Sequence, residues 1–211
     1  MQPKGRVLKL HYVNKVYLFV KENGVLLTAA LFLIAGLFVG IFTYSKNTFA
    51  FDYSKNCIND ILSKQSNLSF FKIFFDSFAG GLLYAVILFS FGASVLGLAL
   101  SPFLLAFKGF LYGSVITYLY TEYAFNGIIF NTVFILPSAI FYIIALILFA
   151  RESVYFSFFL GRLTLPSTAP QSLYTPFKNY CKRCLLICIL IVFSSFIDSL
   201  ISVNFLNKFT L

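Results

Sequence analysis

Apolar residues in this chain gather in long blocks, with none of the short-period alternation that marks a half-buried surface element. A bilayer core about 30 Å thick takes roughly 20 helical residues. Five blocks approach that size: Val25 to Tyr44, Phe78 to Leu100, Phe103 to Tyr120, Phe125 to Ala150 and Leu185 to Phe205. Only Ser101 and Pro102 divide the second block from the third. Proline cannot continue helical hydrogen bonding, so a tight hairpin is expected there. One helix from Phe78 to Tyr120 would be roughly 65 Å long, about twice the bilayer core. The pattern therefore predicts an all-α, integral-membrane five-helix bundle over residues 25–211, preceded by a tail over residues 1–24.

The intervening segments carry weaker signals. In the tail, Leu10, Val13, Tyr17 and Val20 share one helical face and His11, Lys15 and Glu22 the other, which reads as an interfacial helix or as a plain basic leader. The first span is expected to be retained, since Thr48-Phe49-Ala50 makes a poor cleavage site. The connection from Ser45 to Phe75 is polar, with an apolar-periodic second half that suits a short external helix. Leu165 to Phe177, with Pro166, Pro170 and Pro176, reads as an extended linker.

Composition excludes a water-soluble chain: 60% of the 211 residues are hydrophobic, 11% are charged, and Ser77 to Ala150 holds only Lys108 and Glu122 as formal charges. Charge then orients the bundle. The net charge of +9 is spread between apolar blocks, where it serves membrane orientation and anionic lipid, and leaves no soluble basic domain for nucleic acid. Lys4, Arg6, Lys9, Lys15 and Lys21 fall on the same side of five spans as Arg151, Arg162, Lys178, Lys182 and Arg183; Lys46, Lys55, Lys64, Lys72 and Lys208 fall on the other. Ten against five predicts a cytoplasmic amino terminus and an extracytoplasmic carboxyl terminus in a multi-pass cell-membrane protein. Lys108, counted from the Ser101-Pro102 turn, lies about 8 Å into its span and is expected to snorkel to the cytoplasmic interface.

Candidate chemistry is sparse. His11 is the sole histidine, too little for a metal site. Cys181 and Cys184 form a CxxC, but no strand precedes it, no second CxxC follows, and Cys188 continues the same helix; with Cys57 these do not form a secreted disulfide framework. Lys108 and Asp198 are the intramembrane charges, read at different depths and so not as a pair. Asn131 and Pro137 suit a packing kink. Gly36 and Gly40, and Gly109 and Gly113, each make GxxxG, a face that lets helices approach closely within the chain or between two copies. Ala93 and Gly97 add a similar pair. Walker, HExxH and GxSxG motifs are missing from the sequence, no cofactor is expected, and an enzyme is disfavoured.

The ordered stretch Gly92-Ala93-Ser94-Val95-Leu96-Gly97, then Lys108-Gly109 with Gly113, then Leu136-Pro137, resembles the centre of the stage II sporulation protein M family. The resemblance spans about the whole chain, although its diagnostic residues lie between Phe91 and Pro137. It implies a non-enzymatic, five-span membrane scaffold of spore-forming bacteria that gathers peptidoglycan-degrading enzymes at the septum during engulfment, with membrane lipid, cell-wall hydrolases or other membrane proteins as partners. Gly80-Gly81 departs from the asparagines of many relatives. The competing reading is a channel or permease component built on Lys108, Asn131, Pro137 and Asp198.

Overall fold

The computed structural model describes the backbone of residues 4–45, 48–63, 69–164 and 173–205, and the side chains within these from residue 23 onward, except 62, 63 and 205. Six α-helices follow one another: α1 (Lys4–Phe42), α2 (Phe49–Ser63), α3 (Phe70–Gly92), α4 (Gly97–Phe130), α5 (Leu136–Leu163) and α6 (Tyr174–Phe205), with a π-helical turn, Asn131–Ile135, leading into α5. Among the described residues, four continuous helical stretches are long and apolar enough to cross a membrane: Asn23–Phe42, Phe70–Gly92, Gly97–Leu163 and Tyr174–Asn204.

The third stretch is itself two antiparallel legs. Its 67 residues would make a straight helix of about 100 Å, three times a bilayer core. The helix breaks at Ala124, whose φ of 45° and ψ of −121° belong to the positive-φ region that glycine usually supplies in tight reversals. Beyond the break the chain folds back: a Cβ on Gly127 would overlap the Leu119 carbonyl, and the Asn131 amide donates to the Tyr120 hydroxyl at 3.4 Å. At the far end the Ser101 and Ser153 hydroxyls are 2.7 Å apart, and the Leu98 amide donates to Ser157 at 3.0 Å. The expected five apolar legs are thus present.

Glycine sets the closest packing. A Cβ on Gly36 or Gly40 would overlap the carbonyls of Ala106 and Phe110, and one on Gly109 or Gly113 would overlap those of Leu33 and Leu37. The two GxxxG faces therefore meet each other inside one chain, and the rising register on both helices makes α1 and α4 parallel. At the centre lie Leu88, Leu105, Leu146 and Ile191, all almost wholly buried, while Leu31, Phe42, Phe103 and Leu185 face outward as lipid-facing residues would. Ser194 donates to the Ser138 carbonyl at 2.8 Å and Arg183 pairs with Glu152 at 3.0 Å, so α6 runs antiparallel to α5.

Three boundaries differ from the sequence reading. The reversal expected at Ser101-Pro102 lies at Ala93–Leu96, between α3 and α4. Gly97 permits it, because a Cβ there would overlap the Phe91 carbonyl, and Pro102 becomes the sixth residue of α4. Proline this near a helix start removes few ladder bonds. The third helix begins at Phe70, eight residues before the apolar block, so Asp76 and Ser77 are helical. α6 begins at Tyr174, with Pro176 in its first turn, where the amide has no ladder partner; Pro166 and Pro170 lie outside the described residues. The short helix expected in the second half of the connection from Ser45 to Phe75 lies in its first half, as α2, and residues 70–75 belong to α3. The tail is helical from Lys4, with non-helical angles at Asn23; the faces of its side chains, His11 included, lie outside the described residues, as do Lys46, Lys64 and Lys208.

Candidate functional site

Five helices enclose a cleft of about 370 Å³ on the α2 side of the bundle. Each helix contributes residues at helical spacing. α3 supplies Asp76, Ser77, Gly80, Gly81 and Tyr84; α4 supplies Lys108 and Tyr112. α5 gives Ser138 and Tyr142, α6 gives Ser194, Ser195 and Asp198, and α2 closes the top with Tyr53 and Cys57.

Lys108 is the centre of this arrangement. Its Nζ lies 4.0 Å from the centroid of the Tyr84 ring, 5.5 Å from that of Tyr112 and 5.6 Å from that of Tyr142. Three electron-rich ring faces around one ammonium compensate part of its desolvation. Among the described residues no carboxylate pairs with Lys108. Tyr142 is 8% exposed and its hydroxyl is buried without a hydrogen-bond partner. The neighbouring serines are committed differently: Ser194 donates to the Ser138 carbonyl and Ser195 to that of Ile191, leaving their oxygen lone pairs as acceptors.

Lys108 therefore does not snorkel. The expectation counted its depth from Ser101-Pro102, whereas α4 starts at Gly97, eleven residues before Lys108, which places it about 16 Å along the helix. The same shift brings Lys108 and Asp198 to one cleft, although they had been read as belonging to separate depths. Asn131 and Pro137 stay apart from it, in the π-helical turn and the first turn of α5. Sequence reasoning missed Asp76, Tyr84, Tyr112 and Tyr142. Their signal was the polar and tyrosine spacing along individual helices, which takes in Asp76 only once α3 is extended back to Phe70.

The remaining motif residues build the opposite end. Ser94 donates to the Phe91 carbonyl at 3.0 Å within the turn, and a Cβ on Gly92 would strike the Tyr180 hydroxyl and the Ser153 backbone. Ser153 and Ser157 donate to the carbonyls of Leu88 and Val95, each at 2.9 Å, and Tyr180 to that of Phe89 at 3.1 Å. Gly92, Ser94 and Gly97 thus form a close-packed turn that α5 and α6 clamp. Cys181, Cys184 and Cys188 are free thiols along α6, and Cys184 is buried. Among the described residues no three His, Cys, Asp or Glu side chains converge as a metal site requires.

Tyr53 ties α2 to the cleft. Burial, reinforced by Cys57 and Tyr84, pushes its phenol up to about 12. The folded pKa lies above the unfolded value of 10.0, so the stability linked to Tyr53 is complete below pH 10 and declines as pH rises through about 12. Melting of purified protein from pH 9 upward should show wild type losing more stability than Tyr53→Phe above about pH 10. Parallel curves across the range would contradict this linkage.

The family model described as Stage II sporulation protein M matches residues 29–203, which takes in the bundle, the cleft and the clamped turn. No match was found among curated proteins or among solved structures. With residues 29–203 of 211 matched, this chain belongs to the stage II sporulation protein M family.

Proposed function

We propose that this sporulation-related membrane protein acts as a scaffold that localises peptidoglycan-degrading enzymes during engulfment, in the cell membrane and with its amino terminus in the cytoplasm. The observation that carries the reading is that the cleft is blind. From Lys108 toward the Ala93–Leu96 turn the bundle is filled by Leu88, Leu105, Ala145, Leu146 and Phe149, and is bridged by Ser101 and Ser153. A static conduit needs openings on both sides, whereas a scaffold needs a rigid body with a presented surface. That surface is α2, whose exposed Phe49, Asp52, Lys55, Asn56 and Asp60 lie on the side opposite the basic Arg151, Arg162 and Arg183.

The polar lining of the cleft supports a second reading, a permease component that takes a solute from one side. Deletion in a spore-forming host, combined with solute flux into vesicles holding the purified protein, separates the two. The scaffold reading expects hydrolases made in normal amounts but dispersed from the septum, engulfment stalled, and no selective flux. Normal hydrolase localisation together with robust selective flux would overturn it in favour of transport.

A further inference from the structure

The cleft holds chemistry that a rigid scaffold does not require, and its polarity runs in one direction. At its inner end sit the Lys108 ammonium, without an ion pair among the described residues, and the buried, unpartnered Tyr142 hydroxyl. Burying either group without a partner is costly, and the cost is recovered when an acceptor arrives. At the outer end sits exposed Asp76, eight residues before Tyr84 on α3 and therefore about 12 Å along the helix, and Asp198 of α6 also lines the cleft. Between the two ends run the lone pairs of Ser194 and Ser195 and the bare backbone at Gly80. A simple anion suits the inner end and is repelled at the mouth; a simple cation suits the mouth and is repelled within.

We infer that the cleft binds a small zwitterion of short-peptide length, its carboxylate on Lys108 and Tyr142 and its ammonium at the acidic rim. The volume of about 370 Å³ lies within the range of small-molecule sites. The distance between the charged ends sets the ligand length: an extended peptide spans about 3.3–3.6 Å per residue, so about three residues bridge rim and base. The inference stands independently of any role in recruiting hydrolases.

Binding is tested on the purified full-length protein in detergent, using tri-alanine as the probe. The chain has no tryptophan, so its emission comes from 13 tyrosines, of which Tyr53, Tyr84, Tyr112 and Tyr142 line the cleft; the difference between wild type and Gly80→Leu isolates their share. Tri-alanine should change that emission saturably. Acetylating its amine, or amidating its carboxylate, should each weaken binding by about tenfold or more, since each removes a charge-assisted contact. Lys108→Met should abolish the response. Gly80→Leu provides a second variant: a Cβ at Gly80 meets nothing within 4 Å, so leucine fills the cleft without displacing backbone. It should retain the wild-type melting temperature and lose the probe.

In nanodiscs of either phosphatidylethanolamine or phosphatidylglycerol the tri-alanine response should persist, because neither headgroup reaches from rim to base. Equal affinity for the end-blocked peptides, unchanged binding in Gly80→Leu, loss of the response in phosphatidylethanolamine discs alone, or absence of tri-alanine binding would overturn the inference.

Discussion

Replacing Gly36 with leucine should remove folded, monodisperse protein from detergent extracts, while Gly24→Ala should leave its recovery unchanged. A Cβ at Gly36 would occupy the position of the Ala106 carbonyl, and one at Gly109, directly across the interface, that of Leu33. These neighbours are backbone atoms inside continuous helices, so no side-chain rotation can make room. The helices must separate along their length, and separation also breaks the reciprocal contacts of Gly40 with Phe110 and of Gly113 with Leu37. Overpacking alone costs about 1–3 kcal/mol, and an interlock lost over two turns should exceed that. At Gly24 a Cβ has nothing within 4 Å, which makes it the matched control. Size-exclusion profiles and thermal melts provide the measurement; a wild-type profile for Gly36→Leu would show that α1 and α4 do not interlock.

The mutual fit of the two GxxxG faces also limits what sequence could reveal about them. Spacing identified four glycines that admit a close neighbour, but a neighbour within the chain and one in a second copy leave the same spacing. Only the parallel approach of α1 and α4 decides between them. Hydrophobic blocks located the legs because bilayer thickness imposes a length on them. Their ends were less legible, since polar residues enter a helix wherever they face a cleft. Asp76 and Ser77 looked like loop for that reason, and Pro102 looked like a terminator because its tolerance near a helix start depends on where the helix begins. Gly92, Ser94 and Gly97 had the opposite fate. They were noticed as a family-like motif, and the structure gives their reason: the chain reverses against Ser153 and Tyr180, where a side chain at Gly92 would strike both. The site around Lys108 assembles from five helices, so no single stretch of sequence contains it.

Reversing the charge at Lys108 should be the most damaging single change in the cleft. In wild type the ammonium lies over the Tyr84 ring at 4.0 Å and within 6 Å of two further rings. Attractions of this kind contribute about 0.5–2 kcal/mol each. Lys108→Glu turns each into a repulsion between a carboxylate and an electron-rich ring face, and adds a third acid to a cleft that already holds Asp76 and Asp198. The combined change amounts to several kcal/mol, against a typical total stability of about 5–15 kcal/mol. Lys108→Glu should therefore yield little folded protein at neutral pH. Lys108→Arg retains the charge and the ring contacts, and should melt close to wild type. Extracts made at pH 4 sharpen the test, because protonating the introduced carboxyl removes the repulsion, so Lys108→Glu should recover relative to its own yield at pH 7. A variant that folds equally well at both pH values would show that the three tyrosine rings do not set the charge preference at this position.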